Sequence, residues 1–242
     1  MKYRCIVNSP EAVVQLISAS YLRHGYYWYV TGYIPIDKEP SQVDQKLIEK
    51  YQIDISEWER SRRRKSGLAN AQYIRYDRWF IILLTSGHHQ MRDSIRDGGE
   101  GENIQDCRRY PITFAGYSVS YRRSGVQPVG GTKISWHAHV RIEAKTYAAL
   151  KAYFQYVAIH RNQDTVRQEL SSVPFARYAP VRRQLLCLLR LINRARSARG
   201  FEELPHSVLN LRRKPVKVYG QANEASQENY VDKVRMFAVG NR

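Results

Sequence analysis

Two periodicities divide this chain, and together they restrict its fold more than any other feature. Between Ala71 and Glu143, apolar and polar residues alternate in twos or gather into short apolar blocks: "AQYIRYDRWFIILLT" at 71–85, "PITFAGYSVSY" at 111–121 and "KISWHAHVRIE" at 133–143. Such patterns mark strands covered on one or both faces. From Lys145 onward the apolar residues return at helical spacing, as Tyr147, Leu150, Phe154 and Val157, and again as Val181, Leu185, Leu189 and Ile192 after Pro180. The order predicts an α+β protein: a central, mostly antiparallel sheet of about five strands, flanking helices and a basic helical C-terminal part.

Local signals fill in the rest. Residues 2–7 read as a short strand, Ser9-Pro10-Glu11 opens a helix reaching about Ser20, and Tyr26 to Ile34 is a second strand. Ser41-Gln-Val-Asp44 and Ser56-Glu-Trp-Glu59 have capping-box spacing and predict two short helices, the second running into Arg60-Ser-Arg-Arg-Arg-Lys65 and stopping at Gly67. Residues 86–109 read as a loop. The segments 111–121 and 133–143, joined by "RRSGVQPVGGT", form the clearest hairpin. The expected organisation is a sheet domain over 1–165, an arginine-rich helical extension over 166–220 packed on it, and a flexible polar tail over 221–242.

Charge narrows the partner. The 242 residues hold 39 Lys and Arg against 22 Asp and Glu, a formal charge of +17 with a pI near 9.9. Such an excess repels itself unless a polyanion compensates it, and nucleic acid does so by releasing condensed counterions. An anionic membrane surface is the alternative, but the chain shows no lipidation motif or isolated amphipathic basic helix. The apolar run Phe80–Leu84 is too short to span a bilayer, so no membrane partner is expected. Cys5, Cys107 and Cys187 are odd in number and far apart, and the first residues lack a signal peptide's apolar centre. These features predict a reduced, cytoplasmic protein. The residues expected to meet nucleic acid, single-stranded DNA or structured RNA, are Arg62, Arg63, Arg64 and Lys65; Arg122 and Arg123; Arg182, Arg183, Arg190 and Arg194; and Arg212, Arg213 and Lys214.

In "KISWHAHVRIE", Trp136, Ala138, Val140 and Ile142 share one face, and His137, His139, Arg141 and Glu143 the other. The two histidine Cβ atoms then lie about 6.6 Å apart, two strand rises. Two imidazoles and a carboxylate hold a divalent ion with open positions, able to polarise a phosphate. Together with "FIILLT" at 80–85, His137-Ala-His139 resembles the HUH endonuclease superfamily of rolling-circle replication initiators and single-tyrosine transposases. That resemblance implies an antiparallel sheet, His137 and His139 as ligands to Mg²⁺ or Mn²⁺, and a tyrosine that nicks and rejoins single-stranded DNA of a plasmid or mobile element through a phosphotyrosine link. Glu143 is the proposed third ligand, with His88 and His89 as alternatives.

Three tyrosines compete as nucleophile. Tyr156 lies off the apolar stripe four residues before His160; Tyr147 has the Tyr-x-x-x-Lys spacing with Lys151 but lies on the stripe; Tyr178 comes later, in "FARYAPVRR". The broader reading needs no chemistry: tyrosines stack on bases and arginines hold phosphates, in a binding subunit of a nucleoprotein complex that includes other proteins. Phosphate-cradling GxxxxGK[ST], Cys-x-x-Cys spacing and hydrolase triads are absent.

Overall fold

The computed structural model describes residues 3–92, 104–123 and 135–220. The protein is α+β, with two antiparallel sheets, one of four strands and one of three. Its contacts divide the described residues into two units. The first takes in 3–92, 104–112, 120–123, 135–139 and 217–220, and the second 113–119 and 140–216. The division runs through the strands. The expected tail at 221–242 lies outside the described residues, as does the 124–134 connection.

In the first unit the Ser9 hydroxyl accepts a hydrogen bond from the Ala12 N–H at 3.2 Å and caps α1, Pro10–Gln15. The helix then widens into a π-helical turn over Leu16–Tyr21, tightens to a 3₁₀ turn over Leu22–His24, and closes at Gly25 with φ of 89°. β1, Trp28–Tyr33, pairs antiparallel with β3, Trp79–Leu84, which pairs in turn with β2, Ala71–Tyr76. The short β4, Gln105–Asp106, completes the order β2-β3-β1-β4.

The apolar segment 71–85 is therefore two strands and not one. It folds back at Asp77-Arg78, where Asp77 takes the left-handed conformation with φ of 52°. Aspartate tolerates that conformation, and its positive φ suits the right-handed twist of the flanking strands. Gly32, paired with Phe80, is required for packing: a Cβ there would stand 2.6 Å from Phe80 Cζ. Val30, Tyr73, Ile82 and Leu84 make the core with Tyr51, Ile53 and Met91. The N-terminal segment pairs with β2 through an isolated parallel bridge between Ile6 and Arg75.

α2 spans Pro40–Lys50 and starts at Glu39 without a side-chain cap. Asp44, expected at the capping end, is instead buried. It accepts hydrogen bonds from the Tyr73 hydroxyl at 2.6 Å and from Arg75 Nε at 2.8 Å. α3, Glu57–Lys65, begins as expected, with the Ser56 hydroxyl accepting from the Glu59 N–H.

β5 (Ile112–Phe114), β6 (Tyr117–Arg123) and β7 (Trp136–Ile142) form the three-stranded sheet in that order. The expected single strand at 111–121 is again a hairpin. Ala115 and Gly116 both have positive φ, 47° and 74°, the signature of a two-residue type I′ turn. Two hairpins hidden inside apparent strands and β4, inside the expected 86–109 loop, add three strands, while the expected strand at 2–7 supplies only the bridge at Ile6, so the described residues hold seven strands where about five were expected.

In the second unit α4 (Ala144–His160) packs on α6 (Ala179–Ser197), with α5 (Gln163–Ser171) capped by the Asn162 side chain between them in sequence. The Gln184 amide pairs with the backbone of Ile142 in both directions, accepting at 2.8 Å and donating at 3.0 Å. This bond pair ties β7 to α6, and Leu150, Phe154, Leu185 and Leu189 are buried where α4 packs on α6. Among the described residues no helix is long and apolar enough to cross a membrane.

Candidate nucleic-acid interface

The register of the first unit brings three aromatic rings into line. Backbone bonds step from Tyr27 to Cys107 and on to Tyr121, with Cys107 N–H donating to the Tyr27 carbonyl at 2.9 Å and Tyr121 N–H to the Cys107 carbonyl at 3.4 Å. The side chains of Tyr27 and Tyr121 consequently stack at 4.9 Å and 24°. Tyr121 stacks in turn on Trp136 of β7 at 5.8 Å and 13°. One end of this ladder is covered by a cation, since the Arg108 guanidinium lies 4.9 Å from the Tyr27 ring centroid. The other end is open: Trp136 is 42% exposed. Burial first, and then the hydroxyl of Tyr121, push the Tyr27 phenol above its ordinary pKa. Arg122 and Arg123, on the same strand as Tyr121, are exposed, and Arg122 Nε donates to the Ser120 hydroxyl at 3.0 Å.

Next to Trp136 stand the paired histidines. His137 is exposed and His139 half-buried, and their ring centroids are 6.4 Å apart at 61°. They share a face, as period two requires. A metal bound at about 2.1 Å lies about 3.2 Å from an imidazole centroid, so two rings on one ion at tetrahedral or octahedral angles stand about 4.5–5.2 Å apart. A separation of 6.4 Å would require a nearly linear bridge. No group of three metal-ligating side chains occurs among the described residues. The residues as placed therefore do not fit a shared Mg²⁺ or Mn²⁺ ion. Glu143 caps the backbone start of α4, its N–H donating to the Gly116 carbonyl at 2.8 Å. His89 is buried, its Nδ1 accepting from the Met91 N–H at 3.2 Å, and His88 is exposed beside Leu68.

α3 is a helix with no buried residue. Trp58 is 71% exposed, and the Arg62 guanidinium lies 5.3 Å from its ring while also pairing with Glu59 at 2.9 Å. Arg63 donates to the Gln52 side chain at 2.9 Å; Arg64 and Lys65 are exposed. The Arg60 guanidinium donates to the Ile53 carbonyl, fixing the helix to the core.

In the second unit the arginines of α6 fall into two sets. Arg182, Arg183, Arg190 and Arg194 are exposed and have no carboxylate partner among the described residues, whereas Arg196 is buried and donates to the carbonyls of Glu202 and Ala158. Arg212, Arg213 and Lys214 are exposed. Among the candidate tyrosines, Tyr147 donates its hydroxyl to the Gln184 carbonyl at 3.1 Å, and burial raises its pKa. That is a packing role. Tyr156, 61% exposed, lies against His160 with ring centroids 4.3 Å apart and the planes tilted by 32°. Tyr178 accepts a hydrogen bond from Arg213 Nη2 at 3.3 Å, and the same guanidinium lies 4.2 Å from its ring centroid.

The ladder was not among the residues that sequence reasoning selected. Its signal was present only as aromatics on separate segments, and the contacts depend on pairing between them. No protein-family model, no curated protein and no solved structure matches this chain.

Proposed function

We propose that this protein binds single-stranded nucleic acid, with bases stacking on the open face of Trp136 and exposed arginines holding the phosphates. The observation that carries this reading is the Arg108–Tyr27–Tyr121–Trp136 ladder, covered by a guanidinium at one end and presenting a half-exposed indole at the other. A ring held flat by those beneath it loses little freedom when a base stacks on it, and every base offers such a face, so recognition is tolerant of sequence. The excess of arginine supplies the accompanying electrostatic attraction. Fluorescence anisotropy with a labelled oligonucleotide tests it. Trp136→Ala is expected to weaken binding by about 1–3 kcal/mol, roughly five- to 150-fold. Unchanged affinity in that variant would reject the ladder as the binding face.

One observation favours a second reading, strand transfer through phosphotyrosine. The Arg213 guanidinium, on both the hydroxyl and the ring of Tyr178, sets a phosphate-binding cation beside a candidate nucleophile. Incubation with labelled single-stranded DNA would then give a denaturant-resistant adduct, lost in Tyr178→Phe. If no adduct forms, this reading is dropped and passive binding remains.

A further inference from the structure

Beside the cationic end of the ladder, the first unit has a cleft of about 570 Å³ between Trp28 and the turn that runs from Asp106 to Tyr110. That volume lies in the range of ordinary small-ligand sites. The turn is built around Asp106. Its backbone carbonyl accepts from the N–H groups of Arg109 at 2.9 Å and Tyr110 at 2.8 Å. Its carboxylate accepts from the Arg108 N–H at 2.9 Å, and from Arg108 Nε and Nη2 at 2.9 and 2.7 Å. Arg108 is thereby committed on one side to Asp106 and on its face to Tyr27, and the carboxylate charge is neutralised in place.

Besides Asp106 and Arg108, the cleft is lined by Arg109, Gln105, Tyr110, Trp28 and Ile104. Arg109, exposed, has no carboxylate partner among the described residues. Gln105 uses its carbonyl oxygen to accept from the Tyr29 hydroxyl at 2.6 Å, which leaves its amide N–H groups as donors. Tyr110 contributes a ring that is 60% exposed, and Trp28 and Ile104 contribute apolar wall. A guanidinium with its fork free, an amide donor and an exposed aromatic face together suit one planar, acceptor-rich group carrying a phosphate.

We infer that this cleft is a nucleoside-monophosphate site, with the phosphate on Arg109 and the base against Tyr110. Given the single-strand reading, on which this part rests, the ligand is the terminal nucleotide of a strand whose neighbouring bases occupy the ladder.

Equilibrium binding of 5′-AMP, adenosine and inorganic phosphate to the full-length protein tests the assignment. 5′-AMP should bind saturably and more tightly than either fragment, because only it satisfies both halves of the site. Arg109→Ala should weaken 5′-AMP by at least about tenfold, Arg109→Lys by less, and Tyr110→Ala by several-fold. Both Arg109 and Tyr110 are exposed, so the fold does not depend on them. Absence of saturable 5′-AMP binding in protein that binds an oligonucleotide would overturn the site, as would equal affinity in Arg109→Ala. Binding of 5′-AMP without binding of oligonucleotides would support the cleft and remove the single-strand reading, so the two can fail separately.

Discussion

Asp44 and Asp106 each hold an arginine, and each shows how a carboxylate is used structurally in a chain with a large cationic excess. Asp44 is 6% exposed and joins Tyr73 and Arg75 inside the first unit. Burial works to lower the Arg75 pKa, and the bond to Asp44 more than offsets it, so the guanidinium stays charged. Asp44→Ala would leave a buried cation and a buried hydroxyl without their acceptor, and should cost about 3–5 kcal/mol, read as a shift in the denaturation midpoint. Asp106 supports a pH prediction. Burial alone would raise its pKa, but the side-chain and backbone donors of Arg108 outweigh it and hold the carboxyl below the usual range. A depressed folded-state pKa contributes stability above the unfolded value of about 4 and loses it as the pH falls through the folded value. Asp106→Asn should therefore flatten the acid limb of the stability profile below about pH 4, and an unchanged limb would show that the Arg108 pair contributes nothing. At this scale the sequence disclosed the shared face of His137 and His139, which needs only period two. It did not disclose that their rings stand 6.4 Å apart, nor that Asp44 is buried, because both depend on neighbours distant in the chain.

Among the elements, the helices were more legible than the strands. α4 and α6 follow the 3.6 period, and Ser9 and Ser56 cap where the spacing places them. α5 was missed because it is short, with only Val166 and Leu170 buried. The two hidden hairpins were missed because Asp77-Arg78 has no glycine and Ala115-Gly116 reads as the interior of an alternating strand. On α6, Arg183, Arg190 and Arg194 stand at i, i+7 and i+11, a stripe about 16 Å long at 1.5 Å per residue, opposite the buried Leu185, Leu189 and Ile192. A solvated face would tolerate charge reversal in binding assays as well as in stability. Arg190→Glu/Arg194→Glu is predicted to change unfolding free energy by less than about 1 kcal/mol while weakening oligonucleotide binding at low salt. Unchanged binding in the double variant would identify the stripe as solvated surface only.

For the whole molecule, the charge imbalance is the dominant fact, and the structure shows where the acidic side chains go. Of three ion pairs among the described residues, Asp44–Arg75 and Asp106–Arg108 are built into local structure and Glu59–Arg62 lies within one helix. Among the described residues none of these pairs involves the exposed arginines of β6, α6 or the 212–214 segment. Composition alone made the charge excess legible, while the aromatic ladder, proposed here to stack on bases, required the fold. The salt dependence of oligonucleotide binding tests the central claim most directly. Each neutralised phosphate on a single strand contributes about −0.7 to the slope of log Kobs against log salt, and four or more contacts predict a slope of about −3 or steeper. A slope near zero, or no binding at about 50 mM salt, would contradict the account.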